Sequence, residues 1–174
     1  MADKILYKTN YNSPLGNIVL TSDGENLAGL KFGEYDNGIL PKEKEDLEIF
    51  KLTENWLDRY FDGEKPETSS LPLKLQGSDF RLRVWQIVCE IPYGGVMTYG
   101  DIAEIISKER GEGKISPQAV GGAVGHNPLL IVIPCHRVIG SNGNLTGYAG
   151  GVELKYKLLK HEGVNVPFCL CKDG

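Results

Sequence analysis

The stretch Ser116-Pro117-Gln118-Ala119-Val120-Gly121-Gly122-Ala123-Val124-Gly125 opens like a helix and is then filled unlike the rest of the chain. Ser116 offers the side-chain oxygen of an N-cap, and Pro117 the fixed φ of a first helical residue. Beyond them, Ala119, Gly121, Gly122, Ala123 and Gly125 leave the helix almost without large side chains. A glycine inside a helix costs roughly 1 kcal/mol relative to alanine, so this slimness needs a reason. Either the helix packs tightly on a neighbour, or it must lie close against something wide and flat.

The residues just before it supply a partner. Thr98-Tyr99-Gly100-Asp101 has capping-box spacing, with Asp in place of Glu, ahead of Ile102, Ala103, Ile105 and Ile106. A polar loop is expected from Ser107 to Lys114. Two helices joined by a loop, the second slim, predict a helix-turn-helix relative. Before them, Ser78 can cap a helix carrying Phe80, Val84, Ile87, Val88 and Ile91, stopped by Pro92-Tyr93-Gly94-Gly95. After them, Asn127-Pro128 turns the chain into the apolar run Leu129 to Ile133. Ser141-Asn142-Gly143-Asn144 reads as a hairpin-type turn. A last helix, Val152 to His161, is expected to bury Leu154, Leu158 and Leu159 and to close at Gly163.

The first third differs. Ile18 to Thr21 and Leu27 to Phe32 are β-rich segments around the turn composition Ser22-Asp23-Gly24-Glu25-Asn26. From about Glu43 to Phe61 a helical face gathers Leu47, Phe50, Trp56, Leu57 and Tyr60. Leu71 to Leu75 reads as a strand or a linker. The fold class is therefore an α/β N-terminal domain, residues 1–76, followed by a mostly helical domain with a helix-turn-helix, residues 77–174.

Composition sets limits. In 174 residues, 41% hydrophobic and 24% charged is ordinary for a globular protein. No apolar run approaches a membrane span, and MADKILYKTN lacks a signal-peptide core, so a cytoplasmic location is expected (nuclear in a eukaryote). A net charge of −4 argues against a generally nucleic-acid-binding surface, though not against a local basic face. The four cysteines form no C-x-x-C pair and are expected as thiols. Cys169-Leu170-Cys171 has no histidine at ligand spacing, so tail packing through Phe168 and Leu170 is preferred and no metal is expected.

The chemistry sits at Ile133-Pro134-Cys135-His136-Arg137-Val138. Cys135 is either a half-buried hydrophobe or a nucleophile with an activator beside it. Adjacent side chains do not face each other on helix or strand, so activation by His136 needs a bridging water or a sharp turn. His136 would in turn need an acid to fix its tautomer, for which Glu162 is one candidate.

This segment resembles the active-site signature of the O6-alkylguanine-DNA alkyltransferases. Phe80 to Trp85, Ile91 to Gly94, Thr98-Tyr99, Ala119 to Ala123, Asn127-Pro128, Gly147 to Gly151 and His161 to Gly163 occur in that family's order. The resemblance implies a ribonuclease-H-like first domain and a winged-helix-like second one. It implies irreversible, single-turnover transfer of an alkyl group from O6-alkylguanine, and from O4-alkylthymine as a second substrate, in duplex DNA to Cys135. By the same resemblance His136 takes the thiol proton through a water, Glu162 orients His136, and Asn127 ties this network to the recognition segment. Tyr99 would assist the departing guanine. Pro134, Val138, Tyr148, Ala149 and Gly150 would shape the base pocket. Thr98, Ser116, Gln118, Ala119, Gly121, Gly122 and Arg137 would meet DNA, with the slim helix in the minor groove and the target base flipped out. No cofactor and no membrane are implied, and the chain is expected as a monomer.

The chain departs from the family at Gln118, where an arginine is usual, and in the Ser107 to Lys114 segment, which looks longer than the family's turn. That leaves two rivals: a lesion-binding protein with weak transfer, and a thiol hydrolase built on Cys135, His136 and Glu162.

Overall fold

The computed structural model describes residues 6–34, 42–111, 113–145 and 148–165. Gly147, Phe168, Cys169, Leu170 and Cys171 lie outside them. The chain divides into two compact units, Met1–Leu75 and Gln76–Gly174.

In the first unit β1 (Tyr7–Ser13), β2 (Gly16–Ser22) and β3 (Leu27–Phe32) form an antiparallel meander, and β4 (Lys42–Glu43) joins β1 in parallel. The sheet order is β3-β2-β1-β4. β1 escapes a pattern reading because Lys8, Asn10 and Asn12 interrupt it, and it exists by pairing with β2 along its whole length. The helix α1 (Glu48–Phe61) buries Ile49, Phe50, Thr53, Trp56, Leu57 and Tyr60 at helical spacing. It packs on the sheet, whose Ile18, Leu20, Leu27 and Leu30 are fully buried. Leu47 precedes this helix as its N-cap residue rather than sitting within it. The Leu71 to Leu75 segment makes only a bridge, Leu73 beside Leu27, held by Leu27 N–H to Pro72 O at 2.8 Å and Lys74 N–H to Leu27 O at 2.9 Å.

The second unit holds α2 (Asp79–Cys89), β5 (Met97–Thr98), α3 (Tyr99–Arg110), α4 (Pro117–Gly125), β6 (Val138–Ile139) and α5 (Val152–His161). Ser78 caps α2, both halves of the Thr98–Asp101 capping box are made, and Ser116 caps α4 ahead of Pro117. The helix α4 packs on α2 and α3 through Val120, Ala123 and Val124, and Trp85 donates its indole N–H to Ala123 O at 2.9 Å.

Two expectations change here. The Ser107 to Lys114 segment is not all loop: α3 runs through Arg110, and residues 111–116 connect it to α4. Ion pairs from Lys108 to Glu104 and from Glu109 to Arg83 extend the helix, and Arg110 lies 5.5 Å over the Phe80 ring. The turn after Ile139 is also no hairpin. Gly140 N–H reaches Asn144 O at 2.8 Å, but β6 pairs in parallel with β5, and among the described residues no strand beyond the turn pairs with it.

The close-packing explanation for the slim helix fails at its two central glycines. A Cβ on Gly122 would meet nothing within 4 Å, and one on Gly121 only the Tyr99 ring at 3.9 Å. Gln118, Ala119 and Gly122 are exposed along one face, so their small size is not imposed from within. Gly111, by contrast, ends α3 at φ +71°, a conformation alanine adopts only under strain. Gly111→Ala is expected to destabilise the protein by about 1 kcal/mol and Gly122→Ala to stabilise it by about 0.5–1 kcal/mol, read by urea unfolding.

Candidate active site

The site is built on a strained turn. Ile131 has φ +69°, in the left-handed region that β-branched residues avoid. Tight hydrogen bonds surround it: Val132 N–H to Leu130 O at 2.8 Å, Ile133 N–H to Leu129 O at 2.9 Å and Cys135 N–H to Ile133 O at 2.7 Å. Asn127, itself buried, clamps the loop from inside. Its amide donates to Ile133 O at 2.8 Å and its carbonyl accepts from Leu129 N–H at 2.9 Å. The chain then makes a 3-10 turn, Cys135–Arg137, which presents three consecutive polar side chains to the interior of this unit.

Cys135 and His136 are completely buried. Burial pushes the Cys135 thiol up; the nearby Cys89 adds to this, while Lys155 and a hydrogen bond from Asn127 oppose it. Burial therefore favours the thiol form of Cys135, which would need a base before it could act as a nucleophile. His136 Nε2 lies 2.5 Å from Glu162 Oε2, just past the end of α5. Burial holds the imidazole below its ordinary value, with the Arg137 and Lys155 charges in the same direction and Glu162 against them. A neutral imidazole that donates Nε2–H to the carboxylate leaves Nδ1 as an acceptor, and that buried atom has no partner among the described residues. Burial raises the Glu162 carboxyl, but hydrogen bonds and charge from His136 and then Arg137 outweigh it and hold the group well below the carboxylate range.

Lys155 is a site residue that the sequence motifs do not point to. It is fully buried, and its ammonium donates to Tyr99 Oη at 3.1 Å. Burial pulls it down to about 8. The helix α5 turns Lys155, Leu158, Leu159 and Glu162 inward at i, i+3, i+4 and i+7, whereas Leu154 is only half-buried. That spacing is the available signal: a lysine and a glutamate in register with two leucines.

The structure gathers Cys135, His136, Glu162, Asn127, Tyr99 and Lys155 into one unit. Pro134 and Val138 are buried beside the thiol, and Tyr148 packs edge-on to His136 at 6.4 Å between ring centroids. The Tyr148 hydroxyl is buried without a partner among the described residues. Ala149 and Gly150 are exposed, and a Cβ on Gly150 would come 2.6 Å from Leu154 and 3.0 Å from the Tyr148 ring. Ser116 and Thr98 spend their hydroxyls as helix caps. Arg137 corrects an expectation. Instead of standing on a DNA-facing surface it is buried, donating Nε to Glu162 Oε1 at 2.7 Å, Nη2 to Oε2 at 3.2 Å and Nη1 to Ile91 O at 2.7 Å. Among the described residues no group of three or more His, Cys, Asp or Glu side chains is arranged to hold a metal ion. No described helix is long and apolar enough to cross a membrane.

Two family models match the chain: residues 6–75 fit the ribonuclease-like domain of 6-O-methylguanine DNA methyltransferase and residues 79–164 its DNA-binding domain. The chain is 40% identical over 161 residues to the methylated-DNA–protein-cysteine methyltransferase of Haemophilus influenzae, covering 91% of this chain and 87% of that one. It is 42% identical over 163 residues to the enzyme of that name from Methanosarcina barkeri, covering 92% and 99%. Its fold is similar to that of Mycobacterium tuberculosis OGT crystallised in complex with DNA, with a TM-score of 0.79 and 38% identity over 90% of this chain and 92% of that one.

The buried ammonium yields a stability prediction. The fall from 10.5 to about 8 means the unfolded chain holds a proton more readily than the folded one, a cost of up to about 3 kcal/mol below pH 8. That cost shrinks between pH 8 and 10.5 and is gone above. Lys155→Met should therefore stabilise the protein by about 1–3 kcal/mol at pH 7, with the gain vanishing as pH rises past 10.5, measured by denaturant unfolding.

Proposed function

The chain belongs to the 6-O-methylguanine DNA methyltransferase family and repairs DNA by transferring an alkyl group to one of its own cysteines, and we propose that this cysteine is Cys135. The observation that carries the assignment is the His136–Glu162 contact at 2.5 Å, which leaves the imidazole Nδ1 of the residue after Cys135 as a buried acceptor with no partner among the described residues.

In the proposed step His136 Nδ1 takes the Cys135 proton through a bridging water. The sulfur attacks the alkyl carbon, a C–S bond forms, and the carbon–O6 bond breaks with its electron pair on the guanine. Tyr99 gives the base a proton, and the Lys155 ammonium, 3.1 Å from its oxygen, stabilises the phenolate left behind. The thioether has no reaction that removes it, so one molecule repairs one lesion. Proton transfer within a hydrogen-bonded, water-poor site suits a thiol whose resting form is neutral. The roles of Pro134, Val138, Tyr148, Ala149 and Gly150 are to enclose the flipped base, with Gly150 allowing the close approach of its own loop.

The damaged base in duplex DNA is the substrate, presented to a monomer. The exposed face of α4, with Gln118, Ala119, Gly121 and Gly122, is the surface we assign to the minor groove, and Thr98 and Ser116 flank it. The absence of any internal contact for a Cβ on Gly122 supports this reading. Gln118 enters the stack as a neutral group and contributes less to base extrusion than a cation.

Cys135→Ala should abolish the loss of O6-methylguanine from duplex DNA while leaving DNA binding in place; continued transfer would move the acceptor to another thiol. Gln118→Arg should accelerate repair in duplex DNA by on the order of tenfold, the worth of one added charge-assisted contact. The same variant should leave the rate on free O6-methylguanine unchanged, and equal rates on both substrates would show that this position does not assist extrusion.

A further inference from the structure

Three features of the second unit are not used by the proposed step: the fork of Arg137 on Glu162, the half-buried Cys89 near Cys135, and the exposed Val96. Arg137 carries an inference furthest, because every one of its nitrogens has a named partner. Nε and Nη2 hold both oxygens of Glu162, and Nη1 holds the carbonyl of Ile91. Tyr93 covers the guanidinium at 5.7 Å. The contacts that Glu162 accepts include two from Arg137, one from Gly94 N–H at 3.2 Å and one from His136.

An isolated buried Glu–His pair would tend to charge its imidazole, since the carboxylate wants a cation and nothing else supplies one. Here a guanidinium already does. We propose that Arg137 is a positioning residue that acts through Glu162 to keep His136 uncharged, and hence able to accept the Cys135 proton, at neutral pH. This rests on His136 being the base of the transfer reaction.

The groups facing the imidazole pull in both directions, with the balance against protonation. From its own turn comes the Arg137 cation, from α5 the Lys155 cation, from the end of α5 Glu162, and from the 148–151 turn the Tyr148 ring. Two fixed or partly fixed positive charges and full burial oppose protonation; one carboxylate favours it, and that carboxylate is shared. Arginine suits the task better than lysine would, because its planar fork binds both oxygens while its charge cannot be titrated away. A purely structural role, stapling the Ile91 carbonyl to the turn, would leave the charge state of His136 untouched.

The test is the titration of His136 by NMR, in wild type and in Arg137→Gln and Arg137→Lys, alongside the pH dependence of methyl transfer from duplex DNA. The chain has three histidines, so His126→Gln and His161→Gln complete the assignment. In wild type His136 should be neutral at pH 7, and a protonated His136 there overturns the proposal without any Arg137 variant. Arg137→Gln, which can still hydrogen-bond Glu162, should raise the His136 midpoint by about one pH unit or more, and Arg137→Lys by less. An unmoved midpoint in folded Arg137→Gln overturns it too. The acid limb of the transfer rate should move upward with the midpoint. If the midpoint moves and the limb does not, charge control by Arg137 stands and the assignment of His136 as the base falls.

Discussion

The carboxylate of Glu162 is the point through which the second unit of this protein is organised. It lies one residue beyond α5, and it accepts from His136 and Arg137 of the 3-10 turn and from Gly94 after α2. Arg137 extends the connection to the Ile91 carbonyl. Two separate segments thus converge on the two oxygen atoms carried by a third. A buried charge of this kind costs several kcal/mol unless it is fully paired, and here it is paired on every side. The arrangement fixes the orientation of His136, which is what the proposed transfer of the Cys135 proton requires.

Around that centre, strain and burial are set against function. Ile131 sits at φ +69° inside the loop that Asn127 clamps at Leu129 and Ile133, just ahead of the cysteine turn. The thiol, the imidazole and the Lys155 ammonium are all pushed by burial toward their neutral forms. For the proposed transfer this means a thiol that is neutral at rest and becomes nucleophilic only when its proton has somewhere to go. The exposed face of α4 shows a second compromise, since the glycines at 121 and 122 weaken the helix without relieving any internal contact.

Much of this is legible in the sequence where chemistry is local. The caps at Ser78, Thr98 and Ser116 announce three helices, and each forms where its cap and apolar spacing place it. Cys135, His136 and Glu162 come from a motif and a family resemblance, and the structure brings His136 to Glu162 across 25 intervening residues. What escapes is set by tertiary pairing. β1, with its asparagines, is a strand because β2 pairs with it. Arg137 reads as a surface cation until Glu162 is placed beside it. Lys155 reads as a charged helix residue unless its register with Leu158, Leu159 and Glu162 is counted, and the Ser107 to Arg110 turn of α3 depends on side-chain partners in α2 and α3.

Alkyl transfer to Cys135 can be read from the intact mass of the protein after incubation with excess duplex DNA carrying O6-methylguanine, with peptide mapping of the product. The expected result is a gain of one methyl group, on the peptide containing Cys135, ending at one equivalent per chain. A methyl on another cysteine, or continued turnover with an unmodified Cys135, would contradict it.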